Sequence, residues 1–230
     1  RVVLLNFDEW PGIEGLKPLG EDHHIVPDTF DEEVVDLLYR SGCRLLSLAP
    51  ESGSPEILRE IKKQIDLDNL FKGIRGALRR GFNISCFVVI GLPMECPDTL
   101  KMTMGMIRKF AMMGVHDVTV NKFVPYPGSV MFQKLLAEGK VQLSDEFFLS
   151  TMDLYTKNSP SFADAISPKS LYRTMFLMFF NFYIISFLLR PFRVIRVLWL
   201  AVTTGIEETK YAKWFIYRFF SRRKWRQSLA

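Results

Sequence analysis

The stretch Asn83–Asp98, NISCFVVIGLPMECPD, constrains this chain more than any other. Phe87–Ile90 is apolar at consecutive positions, which predicts a strand buried on both faces, as strands of parallel sheets are. It runs directly into Gly91-Leu92-Pro93 and then into a new helix. Strand, glycine–proline turn and helix together make the repeating step of a βαβ fold. In parallel α/β folds ligands gather at the carboxyl ends of the strands. The turn holding Gly91, Pro93 and Glu95 is therefore one predicted wall of any active site.

The same rhythm recurs on both sides. Val2–Phe7 reads as a buried strand and Asp8–Pro27 as a long Gly/Pro/acid-rich loop. Asp31–Ser41 carries apolar residues at helical spacing and is stopped by Gly42. Arg44–Ala49 is the next strand, closing on Pro50-Glu51-Ser52-Gly53. Ser54-Pro55-Glu56 then opens a helix with a cap, a proline at its first position and an acid at its positive end. Leu67–Arg80 is a helix ended by Gly81, and a helix from Pro97 to Met113 is closed by Gly114. A strand over Asp117–Val124 ends in Pro125-Tyr126-Pro127-Gly128, followed by a helix over Ser129–Glu138. Alternation of this kind makes an α/β fold with a parallel sheet and right-handed crossovers. With about four units, residues 1–140 predict a partial (βα) TIM-like barrel of parallel strands.

After Gly139 the rhythm stops. Residues 141–167 read as a connecting segment and 168–230 as an α-helical, basic extension. That extension holds 12 Lys+Arg against two acids, a net +10, whereas the first 167 residues hold 18 against 23, a net −5. Met175–Leu189 (MFLMFFNFYIISFLL) is strongly apolar but falls short of the roughly 20 residues a spanning helix needs. Arg190, Arg193 and Arg196 then fall on one side of a second helix among Phe192, Ile195, Leu198 and Trp199. The end, Lys213–Arg226, interleaves bases with aromatics. Such a segment suits an anionic membrane surface or a lipid-like substrate. It equally suits helices that cover the domain. Bases among aromatics can also stack on nucleic acid, which is not the partner expected here.

Three widely spaced cysteines, Cys43, Cys86 and Cys96, make no disulfide framework and suit a reducing cytosol. The expected location is cytoplasmic, with peripheral attachment to a membrane. The same cysteines have no metal-ligand spacing, and Asp22-His23-His24 lacks a third ligand, so no metal site is predicted. His116 reads as structural.

Three strand-end motifs remain as candidate site. Glu51 could accept bonds from a ribose hydroxyl or an amino group, with Ser52 beside it and Gly53 allowing close backbone approach. A solvated loop that caps a helix explains those residues equally. Gly91, Pro93 and Glu95 could set backbone against a flat ligand edge, or form a turn whose acid faces a helix dipole. Pro125, Tyr126 and Gly128 form a stiff loop with an aromatic that could stack on a ligand.

Taken in order, ESGSPEIL, GLPMECPDTL and FVPYPGS, each after a strand, resemble the radical S-adenosylmethionine (SAM) superfamily, and in particular its branch with an amino-terminal cobalamin-binding domain. DTFDEEVVDLLYRSGCRLLSLAPESGS is similar to the passage before that branch's Glu-Ser-Gly turn. The resemblance spans roughly Asp28–Lys140. It implies a partial barrel holding SAM beside a [4Fe-4S] cluster that cleaves SAM reductively to a 5′-deoxyadenosyl radical. By analogy Glu51, Ser52 and Gly53 contact the ribose or methionine part of SAM, Gly91, Pro93 and Glu95 lie near its adenine, and Pro125, Tyr126 and Gly128 line the far side. Cobalamin enters as a cofactor on this likeness alone.

Two departures stand out. Met94 replaces the glycine of the family's Gly-Leu-Pro-Gly-Glu turn, and the CxxxCxxC motif that holds the cluster is absent. With Arg1 as its first residue, the chain reads as the carboxyl part of a longer enzyme, inactive by itself, acting on a small-molecule or lipid-like substrate. The alternative is a non-catalytic, degenerate barrel that works as a membrane-surface interaction module.

Overall fold

The computed structural model describes residues 32–152 and 159–204. The strand expected at Val2–Phe7, the loop Asp8–Pro27 with His23 and His24, and the basic-aromatic end Lys213–Arg226 lie outside the described residues. Within them the order is α1 (Glu32–Arg40), β1 (Leu45–Glu51), α2 (Pro55–Glu60), α3 (Leu67–Arg79), β2 (Asn83–Ile90), α4 (Pro97–Met113), β3 (Asp117–Lys122), α5 (Val130–Ala137), α6 (Asp145–Met152), α7 (Pro168–Leu189) and α8 (Pro191–Thr204). The strands form one sheet in the order β1-β2-β3, parallel throughout. This is the α/β architecture of a partial (βα) barrel.

Local chemistry places the boundaries. The Asp66 carboxylate caps α3 by accepting from the N–H groups of Asp68 and Asn69 at 2.8 and 3.1 Å. Ser54 caps α2 and Ser129 caps α5 in the same way. β3 stops at Lys122, two residues short of the expected Val124, because Pro125 approaches and cannot donate to a ladder. β1 instead ends two residues later than expected, at Glu51. Its register to β2 shifts between Leu48 and Glu51, leaving one extra residue on β1. Pro50 lies inside that interval and has no N–H to give, so the ladder breaks there as a bulge.

Burial corrects the reading of the central strand. Ile84, Cys86, Val88 and Ile90 are fully buried, whereas Phe87 and Val89 between them are only half-buried. The first set joins Leu46, Leu48, Val118 and Val120 against Leu70 and Ile74 of α3, Ile107 and Phe110 of α4, and Met175, Met178 and Phe182 of α7. By the two-residue period of a strand, Phe87 and Val89 face the opposite side together with Thr119 and Asn121, their register partners. One face of the sheet is covered by helices. The other is the face toward which a barrel would close.

α7 is the largest departure from expectation. It begins at Pro168 under a Ser167 cap and runs 22 residues, seven earlier than the apolar run alone suggested. By length and composition alone it is long and apolar enough to cross a membrane. Yet Leu171, Met175, Met178, Phe182 and Ser186 are buried in the sheet's own core. Its first turn meets the end of β2, where Leu171 lies against Gly91. Its last residue reaches the start of β3, where Arg190 binds the end of α4. α7 thus runs antiparallel to β3 and packs beside α4, the position of the helix that follows a strand in a βα unit. α5 and α6 are inserted between them.

Candidate functional site

Because all three strands are parallel, their carboxyl ends share one edge of the sheet. Neighbouring strands lie about 4.8 Å apart, so the three ends span roughly 10 Å. The structure brings all nine predicted site residues to this edge: Glu51 at the end of β1 with Ser52 and Gly53 after it, Gly91, Pro93 and Glu95 after β2, and Pro125, Tyr126 and Gly128 after β3.

The first loop is held from below by α4. Glu51 adopts a left-handed φ of 62°, rare for a side chain with a Cβ. The bulge at Pro50 turns it there, and its half-buried carboxylate lies 3.4 Å from Lys63 Nζ. Ser52 is fully buried, its Oγ 3.2 Å from Thr103 Oγ1, and the Gly53 N–H donates to that same Thr103 oxygen at 3.1 Å. A Cβ on Gly53 would lie 2.6 Å from the Met102 carbonyl oxygen. The glycine is therefore required by the close approach of helix α4 rather than by an open space for ligand.

The second loop is organised by one carboxylate. Glu95 is 1% exposed. Its Oε2 accepts from the N–H groups of Gly91 and, at 3.2 Å, Leu92. Burial pushes this carboxyl up to about 7, against the two backbone donors that pull it down. Its other oxygen, Oε1, is buried and has no hydrogen-bond partner among the described residues. Gly91 has φ 88°, and a Cβ there would meet Leu171 of α7 at 2.6 Å. The Pro93 carbonyl accepts from the Asp164 N–H at 3.4 Å.

The third loop is the most open. Pro125 is buried, but the Tyr126 side chain is 71% exposed and Gly128 turns with φ 91°. The Tyr126 carbonyl accepts from both the N–H and the hydroxyl of Ser129, which fixes the turn into α5. The groups this edge can offer a ligand are thus the Glu51 carboxylate, the Tyr126 ring and the half-buried Phe87, Val89 and Asn121. A groove of about 950 Å³ between α2 and α3, lined by Arg59, Lys63, Asp66, Asp68 and Phe71 among others, includes none of the nine residues.

Sequence reasoning missed Thr103, Asn121, Phe87 and Val89. A signal existed for Thr103: Thr99 and Thr103 place two hydroxyls four residues apart on the buried face of α4. Asn121 is the half-buried polar residue one position before the end of β3. The cysteines occupy three separate places. Cys43 precedes β1 and donates weakly to the Leu45 carbonyl, Cys86 is buried in mid-strand with its thiol pushed up by burial, and Cys96 stands at the start of α4. Among the described residues no three His, Cys, Asp or Glu side chains form a metal-ligand group. These side chains do not fit a [4Fe-4S] cluster. His116 is structural: its Nδ1 accepts from the Ile84 N–H at 3.2 Å, and burial, then Arg193, Arg190 and Arg196, lower its pKa to about 4.

Residues 8–107 match the Radical SAM superfamily. Over these residues the chain is similar to that superfamily. Among curated relatives, an uncharacterised protein of Methanopyrus kandleri is 32% identical over 101 residues, covering 43% of this chain and 19% of that protein. An uncharacterised methyltransferase of Pyrococcus horikoshii is 26% identical over 156 residues, 66% of this chain and 32% of the relative. Cytidylyl-2-hydroxyethylphosphonate methyltransferase of Streptomyces wedmorensis is 26% identical over 138 residues, 58% and 26% respectively. The chain therefore spans a third or less of the length of these relatives. Among solved structures, coproporphyrinogen III oxidase of Escherichia coli, a radical SAM enzyme, overlaps 56% of this chain and 28% of its own at 20% identity, with a TM-score of 0.40.

Proposed function

We propose that this radical SAM segment forms one wall of a SAM pocket in a methyl-transferring enzyme acting on a small-molecule or lipid-like substrate. The observation that carries the reading is the gathering of the Glu51, Glu95 and Tyr126 loops on one edge of a parallel sheet. Methyl transfer is carried over from the names of two relatives. The chemistry that SAM supplies when bound beside a reducing cluster is a carbon-centred radical that abstracts hydrogen.

The residues here bind and orient. The Glu51 carboxylate, aimed by its bulge, accepts hydrogen bonds from ribose hydroxyls or the methionine ammonium. Tyr126 offers a ring face to a flat base, and Phe87 and Val89 exclude water below it. Glu95 does not reach the ligand directly. It holds the Gly91–Leu92 backbone in the one shape that faces the adenine edge. The separated Cys43, Cys86 and Cys96 do not form a cluster site, and cobalamin finds no candidate ligand among the described residues.

Equilibrium binding of SAM to the full native protein tests this. Glu51→Gln and Tyr126→Ala are each expected to weaken binding about tenfold while leaving the circular dichroism spectrum unchanged. Wild-type affinity in both variants would overturn the reading. Absence of SAM binding to a folded protein would favour the non-catalytic barrel.

A further inference from the structure

α7 carries two apolar faces. Its buried residues, Leu171, Met175, Met178, Phe182 and Ser186, look into the core. Phe176, Leu177, Phe180, Ile184, Phe187 and Leu188 are all exposed. At about 100° per residue, these six fall within an arc of about 120° centred opposite the buried set. A surface helix of a soluble domain presents charged or polar residues there. α8 continues the surface, with Phe192 and Trp199 85% and 68% exposed.

The charge carried by α7 and α8 themselves is of one sign. Between Pro168 and Thr204 there is no Asp or Glu, and the exposed Lys169 and Arg173 stand at the start of the stripe. Arg190 and Arg193 are committed elsewhere: their guanidinium groups donate to the carbonyls of Ala111, Met112, Gly114 and Val115 at the end of α4. Beyond Thr204 the sequence supplies seven more Lys and Arg against two Glu, interleaved with Trp, Phe and Tyr.

We infer that the outer face of α7 and α8 seats the protein on an anionic lipid bilayer, lying in the interface rather than crossing it. Spanning would strip α7 from the sheet whose core it completes. Additional strands would pair laterally beyond β1 or β3 and would not cover a face turned away from the sheet. A second copy docked on the same face would bring two positive segments together. An apolar stripe cuffed by bases and free of acids fits the headgroup boundary of an anionic leaflet. Because Leu171 touches Gly91, the same seat would bring the strand-end edge close to the lipid surface. The inference stands whether or not SAM binds.

Flotation of the full native protein with vesicles of phosphatidylcholine, alone or mixed with phosphatidylglycerol, tests it. The protein should float with the mixed vesicles, and added salt should weaken but not abolish binding, since the apolar part is unscreened. The variant Phe176→Ser/Phe180→Ser/Phe187→Ser, altered only at exposed positions, should lower the bound fraction by about tenfold or more. Lys169→Glu/Arg173→Glu should lower binding to the mixed vesicles while leaving the fold intact by circular dichroism. Failure of the wild type to float would overturn the inference, as would flotation of the triple variant at the wild-type level. So would a finding that the triple variant dissolves a self-associated form that never bound vesicles.

Discussion

The Glu95→Gln substitution separates two accounts of how the Gly91–Leu92 turn is held. Glu95 is buried, with Oε2 bound to two backbone N–H groups and Oε1 unpartnered. Its carboxyl rises from 4.5 to about 7, burial outweighing the two donors. A carboxyl raised in the folded state makes the native protein bind more protons than the unfolded chain between those values. The contribution of this group to stability is then fully present below about pH 4.5 and is lost as pH rises through about 7. At 1.36 kcal/mol per pH unit, the loss is about 3 kcal/mol. The Gln amide oxygen can still accept from Gly91 and Leu92 but carries no charge to bury. Glu95→Gln should therefore match wild type near pH 4.5 and exceed it by about 3 kcal/mol at pH 8. Urea unfolding followed by far-ultraviolet circular dichroism at several pH values gives both curves. Subtracting one from the other removes His116, whose lowered pKa makes stability rise between about 4 and 6.5, the opposite slope. If the two donors outweigh burial, Glu95→Gln will be the less stable protein at pH 8, and the argument from burial is wrong.

Other consequences of the geometry are equally direct. Thr103→Val leaves the Gly53 N–H without its acceptor in a buried site and should cost about 1–3 kcal/mol, with Thr103→Ser recovering most of it in the same urea assay. Gly53→Ala places a carbon 2.6 Å from the Met102 carbonyl oxygen and should destabilise by at least about 1–3 kcal/mol. Arg193→Ala removes two bonds to carbonyls at the end of α4 and should lower stability by about 1–3 kcal/mol. Its effect should combine non-additively with Arg190→Ala, because both guanidinium groups serve the same helix end.

The strands and their punctuation were legible in the sequence because local chemistry sets them. Proline, glycine and capping Ser or Asp act within a few residues, so the turns after β1, β2 and β3 and the bounds of α3 and α4 follow from the order of residues. Parallel pairing then places the three candidate loops on one edge without further information. The boundaries that differed did so for equally local reasons, such as the bulge forced by Pro50.

Contacts between distant segments were not legible. Nothing near Gly53 announces that its missing side chain is occupied by Met102 of α4, or that Thr103, 50 residues away, holds its N–H. Arg190 and Arg193 lie among aromatics and read as groups for a lipid headgroup, yet they bind carbonyls 78 or 79 residues earlier. α7 shows the limit most clearly. A helix apolar on every side has no pattern that says which side packs inward. Only the position of the sheet, with Val118 and Val120 beneath it, decides that Met175, Met178 and Phe182 are core and Phe176, Phe180 and Phe187 are surface. Residue order set the elements and the edge they share, since both depend on neighbours along the chain. Packing decided the burial of Glu95, the clamp on Gly53 and the outward face of α7, since each depends on what tertiary folding brings alongside.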